Sequence, residues 1–320
     1  MYKYSHVNKK ILAVMAITYL NFLCITAYGG TIPAESVNAR EDTPNESVTS
    51  TSSQQLGVSS ERRHIRNRLI ITGYPLAMLA YGYNAWWEDR TNDFHVEYEG
   101  WFEQDAYRGG ADKLGHAYTT YLSTRLLTRT FNWAGNEHRR SAKLATTLVG
   151  GATLAIEILD GFTDDIGFSW EDIAFDAAGI GLAILMDSND KLDQRFDFRF
   201  HYERSPLAQR FGENDPVEDY SGQTYLFITK ASGFQKLRRH KALRYLELAA
   251  GFGSRGYKPS DGTQERERRL FYGLSINLAQ LFDDTVFRNR KNNSRTQKFA
   301  HGLFEYLQVP ATTALAGHTL

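Results

Sequence analysis

Residues 169–202, SWEDIAFDAAGIGLAILMDSNDKLDQRFDFRFHY, contain two hydrophobic periods, and the change from one to the other decides the fold. In the first part Asp172, Asp176, Gly179 and Ala183 recur at spacings of three and four, which places them on one stripe of a helix over 170–186. Ser169 stands at the cap position of that helix, with Asp172 at the capping-box position. Asp176 lies a full turn further in and is the one charge between Ile173 and Met186. Beyond Asp187 the period becomes two. Phe196, Phe198, Phe200 and Tyr202 alternate with Asp197, Arg199 and His201, the pattern of a strand.

Working outward, the N-terminal side is helical and the C-terminal side is β-rich. Helices are expected over 69–87, with Pro75 as a kink, over 113–129, and over 141–159, where Gly150 and Gly151 would allow close packing. Further strands are expected over 225–231, 245–252 and 271–279, joined by polar loops such as 258–262, and a short helix over 296–309. Small residues opposite bulky apolar ones in these strands resemble outer-membrane barrels, but such barrels begin at about eight strands. The fold class is therefore α+β. A bundle of about four apolar helices precedes an antiparallel β-rich region packed on it, with a partial barrel as the extreme form. The helices are short or borderline against the ~20 apolar residues of a bilayer span, so a compact bundle seated on or partly in a membrane fits their lengths better.

The N-terminus reads as an export signal. Lys3, Lys9 and Lys10 precede an apolar stretch over 11–27, and Ala27-Tyr28-Gly29 supplies small residues for cleavage after Gly29. Lipidation of Cys24 is the rival, on a poor lipobox. Cys24 is the single cysteine, which excludes disulfides within the mature chain. Four segments follow: a signal at 1–29, a polar disordered linker at 30–64, a helical domain at 65–190 and a β-rich region at 191–320. The 320 residues balance 37 Lys+Arg against 37 Asp+Glu, and nothing in the charge suggests nucleic acid. Aromatic residues make up 13% of the chain, which suits a sheet or a membrane interface. A mean hydropathy of -0.45 argues against a chain made mostly of lipid-facing helix. The expected location is the cell envelope, in the periplasm or at the outer membrane, with a membrane or envelope lipid as partner.

Ionisable residues embedded in these helices are the functional candidates, because carboxylates buried without a partner, a proton or a cation are costly. Asp112 and His116 are four apart and share a face, with Lys113 beside them, and Asp112 stands where a helix cap is expected after Gly109-Gly110. Glu157 and Asp160 share a face of the third helix, and Asp172 and Asp176 one of the fourth. Turned together, His116, Glu157, Asp160, Asp172 and Asp176 could bind a divalent cation. Alternatively all seven groups form a proton-sharing network with one acid at high pKa, or a structural ion-pair lock around Lys113. Asp164 and Asp165 read as solvated loop residues, and His95, His138, His201, His240, His301 and His318 as surface or structural ones.

These motifs, Asp112-Lys113-x-x-His116, Glu157-x-x-Asp160-Gly161 and Gly167-Phe168-Ser169-x-x-Asp172-x-x-x-Asp176-x-x-Gly179, resemble the YfiM-like family of predicted periplasmic lipoproteins (domain of unknown function 2279). Their order is also similar to VanZ-type membrane proteins, except that Asp160 stands where that pattern has Gln and Asp176 where it has Asn. The resemblance covers about residues 70–187. It implies an envelope location and a shared pocket, and it implies no reaction.

Overall fold

The computed structural model describes residues 58–320 apart from 86, 88–90, 165, 213–214, 258–264 and 289–293. The expected signal, Cys24, most of the linker, Asp165 and the loop 258–262 lie outside the described residues. Helix α1 (Ser60–Ala85) begins before the expected start, so the basic run 62–68 forms its first turns instead of ending the linker. It continues through Pro75. Helices α2 (Ala111–Trp133), α3 (His138–Asp160) and α4 (Trp170–Asp187) follow.

Helix α2 is the centre of the molecule, packed on α3, α4 and strands β1 (Phe196–Tyr202) and β2 (Gln223–Lys230). Its Tyr121 and Phe131 are fully buried. Tyr118 and Tyr121 place their rings 5.5 and 5.7 Å from Phe198, and these aromatics with Tyr225, Ala183 and Met186 form the core between helices and sheet. A second core joins Tyr74 of α1, Leu127 and Phe131 of α2, and Ala145 and Val149 of α3. The N-terminal ends of α1 and α3 lie at the same end of the bundle. Arg66 donates to the Trp133 carbonyl at 3.1 Å, and the side-chain amides of Asn67 and Asn136 exchange hydrogen bonds at 3.0 and 2.7 Å.

The close backbone approach is not where the glycine pair suggested. A Cβ on Gly151 would meet nothing within 4 Å, and one on Gly150 only Ile180 at 3.6 Å. Gly151 borders a groove between α1 and α3, whereas Gly150 faces Ile180 of α4. The tight contact is Gly179, where a Cβ would lie 2.0 Å from the Ala117 carbonyl oxygen and 2.3 Å from Thr120 Oγ1. There Thr120 Oγ1 bridges the helices, donating toward the carbonyl of Asp176 at 3.1 Å.

After the short helix α5 (Asp190–Arg195) the chain forms an antiparallel meander of β1, β2, β3 (Leu246–Arg255), β4 (Glu267–Ile276) and β5 (Thr313–Thr319). Two short helices, α6 (Pro206–Phe211) and α7 (Gln235–Arg238), lie in the connections. The expected strand over 271–279 stops at Ile276, because Asn277 caps α8 (Leu278–Thr285), accepting from Gln280 N at 2.9 Å. The expected tail helix is α9 (Arg295–Tyr306). The strand β5 had not been expected, and it pairs Ala316 with Tyr272 of β4. The sheet does not close into a barrel. On its face away from Tyr118, Arg199 is buried between Asp197 and Glu247.

Candidate functional site

Three helices bring the expected residues together beneath the sheet-facing end of α2. The start of α2 is set by Gly110, whose φ of 82° is open to glycine. The cap residue is therefore Gly110, and the expectation that Asp112 caps the helix is corrected. With its backbone already inside the first turn, the Asp112 carboxylate is free to accept from Tyr220 Oη at 2.8 Å and from Lys113 at 3.3 Å. Ser169 does cap α4, its Oγ accepting from Asp172 N at 3.2 Å. The reciprocal half of a capping box is not made. Asp172 turns to Lys113 Nζ at 2.6 Å, and the Ser169 N–H instead points to Glu157 Oε2 at 3.4 Å.

Lys113 is fully buried and forms ion pairs with Glu99, Asp172 and Asp112. Next to it, His116 stands among four carboxylates. Its Nδ1 lies 3.2 Å from Asp176 and 3.9 Å from Glu157, and its Nε2 lies 3.7 Å from Asp172 and 4.0 Å from Asp112. The four acids are almost sealed, whereas the His116 side chain is 28% exposed. Imidazole is thus the group through which solvent or a ligand reaches the cluster. Asp160 is at the edge, buried and accepting from the Trp87 indole N–H.

Six carboxylates, of Glu99, Asp112, Glu157, Asp160, Asp172 and Asp176, surround two basic side chains, Lys113 and His116. Burial and the neighbouring charges shift these groups in different directions. Burial pushes Glu157 up to about 9, with Asp172, Asp160 and Asp176 adding to the shift against the opposing charge of His116. Burial also raises Asp160 to about 6, and Asp176 is raised for the same reason. Burial raises Glu99 too, aided by the charges of Asp172 and Asp112. Asp172 is the opposite case. Burial would raise it, but His116 and Lys113 outweigh that and hold it below the ordinary carboxylate range. For His116, burial favours the neutral ring, yet Asp172 and Asp176 dominate and raise its pKa well above the ordinary value. The acids around one imidazole are thus pushed in opposite directions by their surroundings.

Two overlapping sets could hold a cation: Asp112, His116 and Asp172, and His116, Glu157 and Asp176, each with ligand atoms within 4.8 Å of one another. Asp160 belongs to neither. Asp164 is exposed, as expected. His301 pairs with Asp283 at 2.8 Å, and His201 lies 3.4 Å from the Gln308 carbonyl, both away from the pocket. Glu99, Tyr220 and Trp87 escaped the sequence reading. They come from a loop, a 3₁₀ turn and the segment just past α1, where no period marks a buried polar residue. The one signal was indirect: a lysine on an apolar helix requires acids beyond its own neighbours.

Geometry alone defines an α+β protein whose helical part gathers carboxylates around one solvent-reached histidine. Residues 98–188 match the family described as Predicted periplasmic lipoprotein (DUF2279). The match runs from just before Glu99 to the end of α4 and takes in all seven expected site residues, while the sheet lies beyond it. The family description supports an envelope, periplasmic location. Cys24 lies outside the matched span, and the VanZ-type order remains a likeness of spacing. No curated protein and no solved structure matches the chain.

Proposed function

We propose that the His116 pocket is a proton-exchanging site that binds or acts on the polar part of an envelope amphiphile, at the periplasmic side of a membrane such as the outer membrane. The observation that carries this reading is the surplus of sealed carboxylates over cations around one accessible imidazole. His116 is the group that meets the ligand and exchanges its proton. Glu157, held protonated, is the acid behind it, and Asp172 and Asp176 orient the ring and stabilise its charge. Lys113 with Glu99 and Asp112 fixes the floor, and Asp160 with Trp87 closes the edge.

His116→Ala and Asp176→Asn test the proposal. Each is expected to leave a folded, correctly localised protein at near wild-type abundance while abolishing complementation of a deletion strain. Full complementation by a stably expressed His116→Ala protein would overturn it. Elemental analysis of natively purified protein separates the proton-exchanging version from a metal-holding one. A stoichiometric divalent metal that is lost in the His116→Ala protein would replace protons by a cation in the same pocket.

A second reading, a non-catalytic structural or assembly factor of the outer membrane, is favoured by one observation: Lys113 is fully buried with its ammonium engaged by three acids. It predicts that the same two substitutions lower abundance and stability together.

A further inference from the structure

We infer that the outer face of α1 and α3 is a seat for one leaflet of an anionic phospholipid bilayer, lying along the leaflet without crossing it. On α1 the residues Ile65, Leu69, Leu76, Leu79 and Tyr83 recur at spacings of three, four and seven, so they form one stripe. All are exposed, Leu69 at 66% and Leu76 at 65%. Helix α3 contributes Leu154 and Ile158, also exposed. Between the helices runs an apolar groove of about 290 Å³ lined by Pro75, Met78, Leu148 and Gly151, among others. The stripe from Leu69 to Tyr83 is ~21 Å long at the rise of an α-helix. Soluble surfaces rarely leave so much contiguous apolar area open.

Charge indicates which occupant fits. Because α1 and α3 begin at the same end, Arg62, Arg63, Arg68, Arg139, Arg140 and Lys143 gather there, against Glu61 and Glu137. No ion pair among the described residues engages these six cations. A basic rim beside an apolar stripe is complementary to anionic headgroups above acyl chains, and each such cation contributes to attraction at an anionic surface. The far end carries aromatics suited to the headgroup level, with Phe94, Phe162 and Trp170 exposed. Helix α3 passes the length and composition of a membrane span. Its Glu157 and Asp160, however, are turned into the pocket, so only one side of it is available to lipid.

This seat uses residues outside the His116 pocket, so its failure would leave the pocket reading standing, and the reverse holds too. The test uses the full chain carrying Cys24→Ser, with an environment-sensitive fluorophore on Leu76→Cys, Leu154→Cys or, as control, Lys236→Cys. Vesicles of phosphatidylglycerol or of phosphatidylcholine carry nitroxide quenchers on their acyl chains. Labels at 76 and 154 are expected to shift to the blue and be quenched in phosphatidylglycerol, with the label at 236 unaffected. Replacing Arg62, Arg63, Arg139 and Arg140 by Gln should weaken that interaction by two to three orders of magnitude, on the order expected for four cations at an anionic surface. Quenching at 76 and 154 no greater than at 236 would overturn the inference. So would equal quenching in phosphatidylcholine, or efficient Leu76→Cys cross-linking between copies in vesicle-free solution.

Discussion

The Arg199 cluster under the sheet and the His116 pocket between the helices both take ionisable groups out of water, yet their charges add up differently. Arg199 meets Glu247 at 2.8 Å through both terminal nitrogens and Asp197 at 3.0 Å through Nε, Lys230 takes the other oxygen of Asp197, and Gln308 accepts at 3.1 Å. Two acids face two bases, and every charge has a partner. Around His116 six acids face two bases. A balanced cluster holds its charges in place and offers nothing to exchange. A surplus must be settled by protons or a cation, and protons can be moved. One cluster is a fastening and the other is chemically open.

The largest expected effect breaks the fastening. Arg199→Ala takes the guanidinium from buried Glu247 and leaves Asp197 with Lys230 alone, and should cost ~3–5 kcal/mol in chemical denaturation. An unchanged midpoint would remove the contrast between the two clusters. Next is the helix contact that positions the pocket. Gly179→Ala places a methyl group against the Ala117 carbonyl and should cost about 1–3 kcal/mol, read as a lowered thermal midpoint.

The third prediction sharpens the comparison through pH. Glu157 is raised from 4.5 to about 9, so the native state holds its proton more tightly than the unfolded chain. Its contribution is complete below 4.5 and is lost as pH rises toward 9. His116, also raised, acts in the same direction, its contribution being lost as pH rises through its native value. Denaturation midpoints should therefore fall between pH 5 and pH 9, and Glu157→Gln should flatten that slope without abolishing it. An unaltered slope in the variant would show that the alkaline loss arises elsewhere. The smallest effect is Gly151→Ala. With open space around its Cβ position, it should gain about 0.5–1 kcal/mol from helix propensity alone.

Much of this molecule was legible because periodic burial leaves a periodic trace. Asp172, Asp176, Gly179 and Ala183 lie on one helical stripe, and the structure buries all four. The alternation from Phe196 to Tyr202 is strand β1. Where the trace is short or the residues are small, it fails. Strand β5, TALAGHT, has little contrast between its faces. Gly150-Gly151 and Gly179 look alike in one dimension, and only the position of Ala117 across the contact separates an open groove from a closed one. The cap at Asp112 was misplaced because Gly110 could take the left-handed conformation two residues earlier.

The order of residues along the chain determined the α+β class and the helical faces that carry Asp112, His116, Glu157, Asp160, Asp172 and Asp176, because both follow from local periods of 3.6 and two. It could not state how far those faces would be sealed. Tertiary structure decided that Lys113 collects Glu99 from a loop, that the Asp172 carboxylate turns to Lys113 instead of completing the capping box, and that His116 is more exposed than the carboxylates around it. Burial and charge pairing depend on contacts between elements far apart in sequence, and no local pattern encodes them.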